Sequence, residues 1–323
     1  MILYRWRGVS TNFGDELNTV LWPGLLPDFF DDNPACRFLG IGSVLDQRHS
    51  PQAVKVVAGS GYGGYERKPA LDENWIIHWV RGPRTAAMLG LPQALALGDP
   101  AALIPKVFSP PPPDGADVGF MPHFESAARG AWRQAAQQAG IRLIDPRSPP
   151  LAVLRSIRGC KLLLSEALHG VIVADALRVP WIAIRPRAHV HRAKWQDWAD
   201  TMDVRPRFGQ LPASTLSEWA GGSALGSFHP TRTWLRRREH WLAKATPERL
   251  VARAAQALRR AADADPQRSA DVSLDRCQSR MLAAIDALRR QPLRGAPREA
   301  AVAPPRSHLQ ADGDSAYQLT PIV

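Results

Sequence analysis

The stretch KLLLSEALHGVIVADALRVPWIAI, residues 161–184, decides the fold. An apolar strand leads into a polar turn, a helical apolar run and a second apolar strand, a unit that builds parallel sheets with helices on their faces. Ser165, Glu166 and His169 fall in the turn where the strand gives way to the helix. In an open parallel sheet that turn borders the ligand crevice, so these three side chains are candidate site residues.

The same alternation of short apolar strands and helical runs extends in both directions along the chain. It is interrupted by SPPPPDG at 109–115, which can form neither a helix nor a central strand and therefore marks a domain boundary. After this boundary the pattern predicts one helix over Glu125–Gln138. We predict an α/β fold of two Rossmann-like lobes with parallel sheets: residues 1–110, residues 116–230, C-terminal helices over 231–291, and a disordered tail over 292–323.

Length and composition limit the class of protein. A chain of 323 residues with 45% hydrophobic content can bury about two domain cores. No segment reaches the roughly 18 apolar residues of a membrane span, and the first residues lack the order of a signal peptide. Cys36, Cys160 and Cys277 are too scattered for a disulfide framework or a zinc site. We therefore expect a soluble cytoplasmic protein.

The formal net charge of +11 favours anionic partners: nucleic acid, anionic lipid headgroups or phosphorylated small substrates. Many arginines lie between residues 232 and 260, where the pattern predicts a long helix over Thr231–Ala262. Three interpretations stay open for these arginines: a solvated helix face, a membrane-surface patch or a nucleic-acid-binding surface.

His169 is the strongest candidate for chemistry. It is predicted at the start of a helix, where free backbone N–H groups, those of Gly170 and Val171, would suit a phosphate or a carboxylate. An imidazole beside such an anion can bind it and can also transfer a proton near neutral pH. The alternative is a histidine that only caps the helix.

The first lobe has a matching polar turn after its first strand. Gly14 lets backbone approach a ligand closely, and Asn12, Asp15 and Asn18 offer hydrogen bonds that suit sugar hydroxyls. Asp15 has a second interpretation as an ordinary helix N-cap.

Arginines at another strand exit suggest an anion clamp. Arg81 ends a strand and Arg84 follows at the start of a helix, and a guanidinium holds carboxylate or phosphate through paired N–H donors. An ordinary surface arginine is the alternative. His123 follows the first strand of the second lobe and belongs to the same predicted rim. Further positive charge follows the strand at 181–184, from Arg185, Arg187 and Lys194.

Five segments taken in order resemble the polysaccharide pyruvyl transferase family, over roughly the first 200 residues: Asn12–Asn18, Gly40–Ser43, Val80–Thr85, Leu97–Pro100 and Ser165–Gly170. The resemblance is greatest to the ketal pyruvyl transferases of bacterial exopolysaccharide assembly. It implies a fold like that of the GT-B glycosyltransferases and phosphoenolpyruvate as donor. It also implies a lipid-linked oligosaccharide acceptor at the inner face of the cytoplasmic membrane.

The resemblance also implies roles for individual residues. His169 matches the family histidine of the Leu-His-Gly turn, which contacts the donor, and Arg81 matches the arginine before the first-lobe helix. Many members carry an arginine before the Leu-His pair, where this chain has Ala167. One donor anchor is therefore missing, and a later cation, Arg185, Arg187 or Lys194, is expected to supply its charge.

The resemblance thus implies a ketal pyruvyl transferase, and the lack of clustered metal-ligating residues predicts that it uses no metal or cofactor besides its donor substrate. His169 would bind the donor and transfer a proton, and Asp15 or His123 would be the acceptor-side base. The predicted substrate-binding residues are Asn12, Gly14, Asn18, Ser43, Arg81, Arg84, Ser165, Glu166, Gly170, Arg185, Arg187 and Lys194. Two alternatives remain, a GT-B-type nucleotide-sugar glycosyltransferase and a basic nucleic-acid-binding module. The first needs a base and ribose site, and the second needs nucleic-acid-reading motifs; neither is evident.

Overall fold

The computed structural model describes residues 1–290, with gaps at 9, 32, 109, 111–116, 187–191 and 223–247. The described strands form two sheets, and every pair of neighbouring strands is parallel. The predicted α/β class with two parallel sheets is therefore confirmed. Both sheets lie in one compact unit, Met1–Gln291.

The first sheet has four strands in sequential order. They are β1 (Ile2–Tyr4), β2 (Cys36–Leu39), β3 (Val54–Ala58) and β4 (Trp75–Trp79). Parallel neighbours in sequential order need crossover segments on a face of the sheet, and the apolar composition of β3 suits burial from both sides.

The second sheet has the order β6-β5-β7-β8-β9. Its strands are β5 (Asp117–Met121), β6 (Arg142–Leu143), β7 (Cys160–Ser165), β8 (Trp181–Ile184) and β9 (Phe208–Gly209). The quoted stretch supplies β7, the helix after it and β8, as its apolar pattern predicts.

Eleven α-helices lie in the described ranges. They are α1 (Phe13–Glu16), α2 (Asn18–Leu25), α3 (Pro83–Leu89), α4 (Phe124–Arg129), α5 (Trp132–Ala139), α6 (Pro150–Arg158), α7 (Leu168–Ala176), α8 (Ala193–Met202), α9 (Leu216–Gly222), α10 (Glu248–Ala262) and α11 (Asp271–Arg290). Two 3₁₀ helices cover Gln93–Leu95 and Pro100–Lys106. No helix in the described ranges is long and apolar enough to cross a membrane.

The single helix predicted over Glu125–Gln138 is wrong, because the chain breaks it into α4 and α5. Gly130 is extended at the end of α4, and the N–H of Ala131 donates to Ser214 Oγ at 2.9 Å. The indole of Trp132 then donates to Glu218 Oε1 at 2.6 Å. These long-range hydrogen bonds stabilise the break, and local periodicity cannot reveal them.

Several predicted regions fall outside the description. The proline-rich boundary lies almost wholly in gaps, the predicted tail lies beyond residue 290, and the predicted long helix is described only from Glu248 onward. In that described part, α10, the arginines at 249, 253, 259 and 260 are exposed. Exposure of these arginines is compatible with each of the three interpretations of the positive charge.

Helix packing connects the two lobes. The 3₁₀ helix Pro100–Lys106 of the first lobe packs against α7, and α3 packs against α8. α11 contacts the same 3₁₀ helix and β4 through a buried stripe with helical spacing, which includes Leu274, Met281 and Ile285. The two sheets are therefore held together by shared apolar packing.

Candidate active site

The register of the first sheet gathers its polar strand exits. Tyr4 lies beside Leu39, Leu39 beside Val57, and Ala58 beside Trp79, so the segments that follow these strands leave at one edge. Arg81 and Ser43 meet there, and Arg81 Nη1 donates to Ser43 Oγ at 2.8 Å.

The register of the second sheet also brings polar residues that follow its strands to one edge. Met121 at the end of β5 pairs with Ser165 at the end of β7. His123 and Glu166 follow these two residues, and the backbone N–H of His123 donates to Glu166 Oε2 at 3.0 Å. The carboxyl ends of parallel strands are where such folds bind ligands.

A cavity of about 270 Å³ is lined by residues of both lobes. Clefts of about this size suit small ligands. The predicted site residues on its wall are Asn12, Asp15, Ser43, His123, His169 and Lys194. Polar residues predicted as site residues in both lobes therefore come together at one cavity.

His169 lies in the first turn of α7, after the N-cap Ala167, so it is not the helix cap. Its side chain is 11% exposed, and its Nε2 lies 3.4 Å from Asp99 Oδ2. On the other side of the ring, a Cβ on Gly14 would lie 1.9 Å from Nδ1. A glycine at position 14 is therefore needed for the imidazole to approach α1 this closely.

The backbone N–H groups expected to be free beside His169 are not free. Those of Gly170 and Val171 donate to the carbonyl of Ala167, at 3.1 and 3.4 Å. A Cβ on Gly170 would meet Ser165 Oγ at 2.5 Å, so this glycine packs against the strand end.

Asp15 is a buried carboxyl on the cavity wall. Asn12 is the N-cap of α1, so Asp15 does not have that role, and Asn12 Nδ2 donates to Asp15 Oδ2 at 2.6 Å. Burial raises the pKa of Asp15, against the lowering effects of the Asn12 hydrogen bond and of the charges of His169 and Lys194. A carboxyl with a raised pKa is suited to proton transfer near neutral pH.

Lys194, in the first turn of α8, lines the cavity and is partly exposed. It forms no ion pair within the described residues. Burial, together with the positive charge of Arg81, lowers the pKa of Lys194 to about 8. This amine is therefore a cation at the cavity with which no carboxylate of the described ranges forms an ion pair.

Arg81 is fully buried and lies behind Ser43 rather than on the cavity wall. Its Nε donates to Asp197 Oδ2 at 3.0 Å, and its Nη2 donates to the carbonyl of Tyr62 at 3.3 Å. The other oxygen of Asp197 accepts the backbone N–H groups of Arg84 and Thr85 at the start of α3. The guanidinium of Arg81 is thus paired with a carboxylate of α8 and contacts the cavity wall through its hydrogen bond to Ser43.

Two other first-lobe candidates lie away from the cavity. Asn18 is fully buried, with its amide bonded to both backbone groups of Ile41 and to the indole of Trp22. Arg84 is half exposed, and its Nε donates to Asp200 Oδ2 at 2.7 Å. Both residues connect elements of the fold around the site.

The remaining second-lobe candidates also lie off the wall. The Ser165 hydroxyl bonds to both backbone groups of Ala167, and Glu166 is buried behind His123. Arg185 is exposed at the end of β8, and Arg187 lies outside the described residues.

Seven wall residues were not predicted: Trp6, Gly42, Val44, Arg48, Tyr65, Phe124 and Glu125. The rings of Trp6 and Phe124 come from different lobes, with centroids 6.2 Å apart. Arg48 is held by both oxygens of Asp46 at 3.0 and 2.6 Å, so its charge is already paired. Phe124 and Glu125 directly follow the predicted site residue His123, and this adjacency in sequence could have identified both as wall residues.

The fold is that of a two-lobed α/β protein, and its candidate small-molecule site combines an imidazole, a carboxyl and an amine. Residues 68–187 match the family described as polysaccharide pyruvyl transferase. Over 321 residues the chain is 34% identical to the succinoglycan biosynthesis protein ExoV of Rhizobium meliloti (strain 1021), covering 89% of this chain and 98% of that protein. The chain therefore belongs to the polysaccharide pyruvyl transferase family and is a pyruvyl transferase, which confirms the predicted family. No solved structure matches it.

Proposed function

We propose that this enzyme transfers the pyruvyl group of phosphoenolpyruvate to a sugar of a lipid-linked oligosaccharide, forming a cyclic pyruvate ketal in exopolysaccharide biosynthesis. The observation that carries the proposal is the presence of His169, Lys194 and Asp15 on the wall of one cavity. The relative described as a succinoglycan biosynthesis protein supports the exopolysaccharide context.

The reaction begins at the methylene carbon of the enol. A general acid protonates this carbon, which becomes a methyl group, and the central carbon becomes electrophilic. One sugar hydroxyl attacks the central carbon and gives its proton to a base. The cavity needs an acid, a base and cations that hold the donor's carboxylate and phosphate.

Ring closure completes the transfer. The bond between the central carbon and the phosphate oxygen breaks, and inorganic phosphate leaves. The second sugar hydroxyl attacks the same carbon and loses its proton. The methyl group keeps one proton and the departing phosphate takes one, so a dianionic phosphate and the monoanionic ketal balance the trianionic donor and the diol.

His169 and Lys194 form the donor side in this proposal. The ammonium of Lys194 supplies the positive charge that Ala167 does not, and Ser43, held by Arg81, adds a hydroxyl donor. His169 delivers the proton to the methylene carbon. Because the described residues contain no group of three or more metal-ligating side chains, we propose that no metal takes part and that the donor is needed without a further cofactor.

Asp15 is the acceptor-side base in this proposal, with His123 as the alternative. Its raised pKa suits proton acceptance from a sugar hydroxyl, and Asn12 beside it offers an amide for hydroxyl recognition. The Trp6 and Phe124 rings would cover the sugar and exclude water. A lipid-linked acceptor would bring the enzyme to the cytoplasmic membrane face, where the exposed arginines of α10 suit anionic headgroups.

The test is a transfer assay with purified protein, phosphoenolpyruvate and an extract of glycolipid intermediates. We expect phosphate release that depends on the extract, together with a pyruvyl mass gain on sugar. His169→Ala should abolish both signals while the protein stays folded, as a cooperative thermal melt would show. Transfer of sugar from a nucleotide-sugar, with no reaction of phosphoenolpyruvate, would contradict the proposal.

A further inference from the structure

Asp99 is a buried carboxylate that the proposed reaction has not yet used. It is 1% exposed and caps the 3₁₀ helix Pro100–Lys106, because its Oδ1 accepts the N–H of Ala101 at 3.0 Å. Its Oδ2 lies 3.4 Å from Nε2 of His169, across the junction of the two lobes. Neither of these two atoms has a hydrogen-bond partner elsewhere in the described chain.

The charge state of Asp99 follows from its surroundings. Burial raises the pKa of Asp99, but the neighbouring His169, the charge of Arg81 and the N–H of Ala101 together hold that pKa below its usual range. A buried carboxylate is stable only when it faces a donor or a positive charge. Asp99 is thus an anion, and Nε2 of His169 is the polar group that its second oxygen faces.

The other ring nitrogen of His169, Nδ1, is the one available to a ligand in the cavity. His169 lines the cavity although its Nε2 atom is buried, so Nδ1 is the ring nitrogen left for a ligand. The ring packs against Gly14, where a Cβ would lie 1.9 Å from Nδ1, so the missing Cβ lets the ring take this position at the cavity. The charged groups around this ring are Asp15 from α1, Lys194 from α8, Arg81 and Asp99 itself.

We propose that Asp99 is the positioning residue for His169, holding the proton on Nε2 so that Nδ1 exchanges a proton with the substrate. The role of such a carboxylate is to fix the tautomer and orientation of the imidazole and to stabilise its protonated form. Because Asp99 belongs to the first lobe and His169 to the second, the proton-transfer group is complete only when the lobes are packed together. The predicted kinetic effect of Asp99 rests on the proposed function, whereas the predicted tautomer of His169 does not.

The kinetic test compares Asp99→Asn with Asp175→Asn. Asp175 is a matched control because it is also a buried carboxylate, bonded to Trp181 and Ser269 and absent from the cavity wall. We expect Asp99→Asn to lower kcat by at least about 10-fold, and by up to the roughly 10⁴-fold seen for a carboxylate behind a proton-transferring histidine, with KM for phosphoenolpyruvate changed far less. The limb of the pH profile that reports the imidazole should move to lower pH. Asp175→Asn should lower the melting temperature without moving that limb.

A substrate-free measurement keeps the inference testable if Asp99→Asn fails to fold. In wild-type protein with ¹⁵N-labelled histidine, assigned by comparison with His169→Gln, the neutral ring should carry its proton on Nε2. A proton on Nδ1, or a folded Asp99→Asn enzyme with wild-type kcat and an unmoved pH limb, would overturn the inference. If wild-type enzyme does not react with phosphoenolpyruvate, the proposed function fails, while the tautomer measurement still decides the role of Asp99.

Discussion

Arg81 and Lys194 are two cations associated with α8, and they differ in what surrounds them. Arg81 is fully buried, and its guanidinium is bonded to Asp197, Ser43 and Tyr62. Lys194, one turn before Asp197 on the same helix, faces the cavity and forms no ion pair within the described residues. α8 therefore supplies the carboxylate that pairs with Arg81 and also places the amine of Lys194 at the cavity.

The difference separates structural charge from charge that a ligand can use. A buried ion pair is costly to break, because removing one partner leaves the other unpaired and desolvated. An unpaired cation at a cavity gains its strongest interaction only when an anion binds. The pKa of Lys194 is lowered because burial and the positive charge of Arg81 disfavour the charged amine, and a bound anion would stabilise that charged form.

The largest expected effect is on stability, from Arg81→Ala. The substitution leaves the buried Asp197 without its cation, so the free energy of unfolding should fall by about 3–5 kcal/mol. Denaturant unfolding of this variant beside Lys194→Ala measures the contrast. A loss below about 1 kcal/mol for Arg81→Ala would mean that Arg81 is not the structural cation.

The next effect is on donor binding, from Lys194→Met. A hydrogen bond to a charged group contributes about 1.5–3 kcal/mol, so KM for phosphoenolpyruvate should rise roughly 10–100-fold. The melting temperature should stay the same or rise, because an unpaired, partly buried charge is removed. Arg84→Met, on the neighbouring surface, is the control and should leave KM unchanged. Equal KM values for all three proteins would refute the assignment of Lys194.

The pH dependence sharpens the same assignment. Because the pKa of Lys194 is lowered to about 8, the free enzyme loses this charge as the pH rises through that value. We expect kcat/KM for phosphoenolpyruvate to fall on that alkaline side. Lys194→Arg stays protonated and should remove this limb while it retains donor binding. A limb that persists in Lys194→Arg belongs to another group.

The smallest effect is expected at the exposed pair Arg84–Asp200. Both side chains are about half exposed, so solvent screens their attraction, and Asp200→Asn should cost at most about 1 kcal/mol. That loss should shrink further in high salt. A cost as large as that of Arg81→Ala would show that α3 and α8 are held together by the surface pair instead of by Asp197.

Local pattern was enough to predict the parallel sheets and the turn that carries His169, since strand–turn–helix units depend on neighbouring residues. It was not enough to distinguish Arg81 from Lys194. The partner of Arg81, Asp197, lies 116 residues away in sequence, and only the packing of α8 on α3 brings them together.

Asn18 and Asp99 illustrate the same limit. Asn18 has the residue type of a sugar ligand, but its amide is used by the backbone of Ile41, 23 residues away. Asp99 stands in a segment that the family resemblance includes, yet its proximity to His169 depends on packing between the lobes. Residue type and spacing thus identify candidates, and long-range contacts decide which of them face the ligand.

The most direct test of the account is an NMR titration of histidine-labelled protein with phosphoenolpyruvate, followed at the assigned His169 ring signal. We predict a saturable shift of that signal in the wild type and at least roughly tenfold more phosphoenolpyruvate for half-saturation in Lys194→Met. An unperturbed His169 signal at saturating phosphoenolpyruvate, or the same half-saturation in both proteins, would contradict a donor site formed by these two residues.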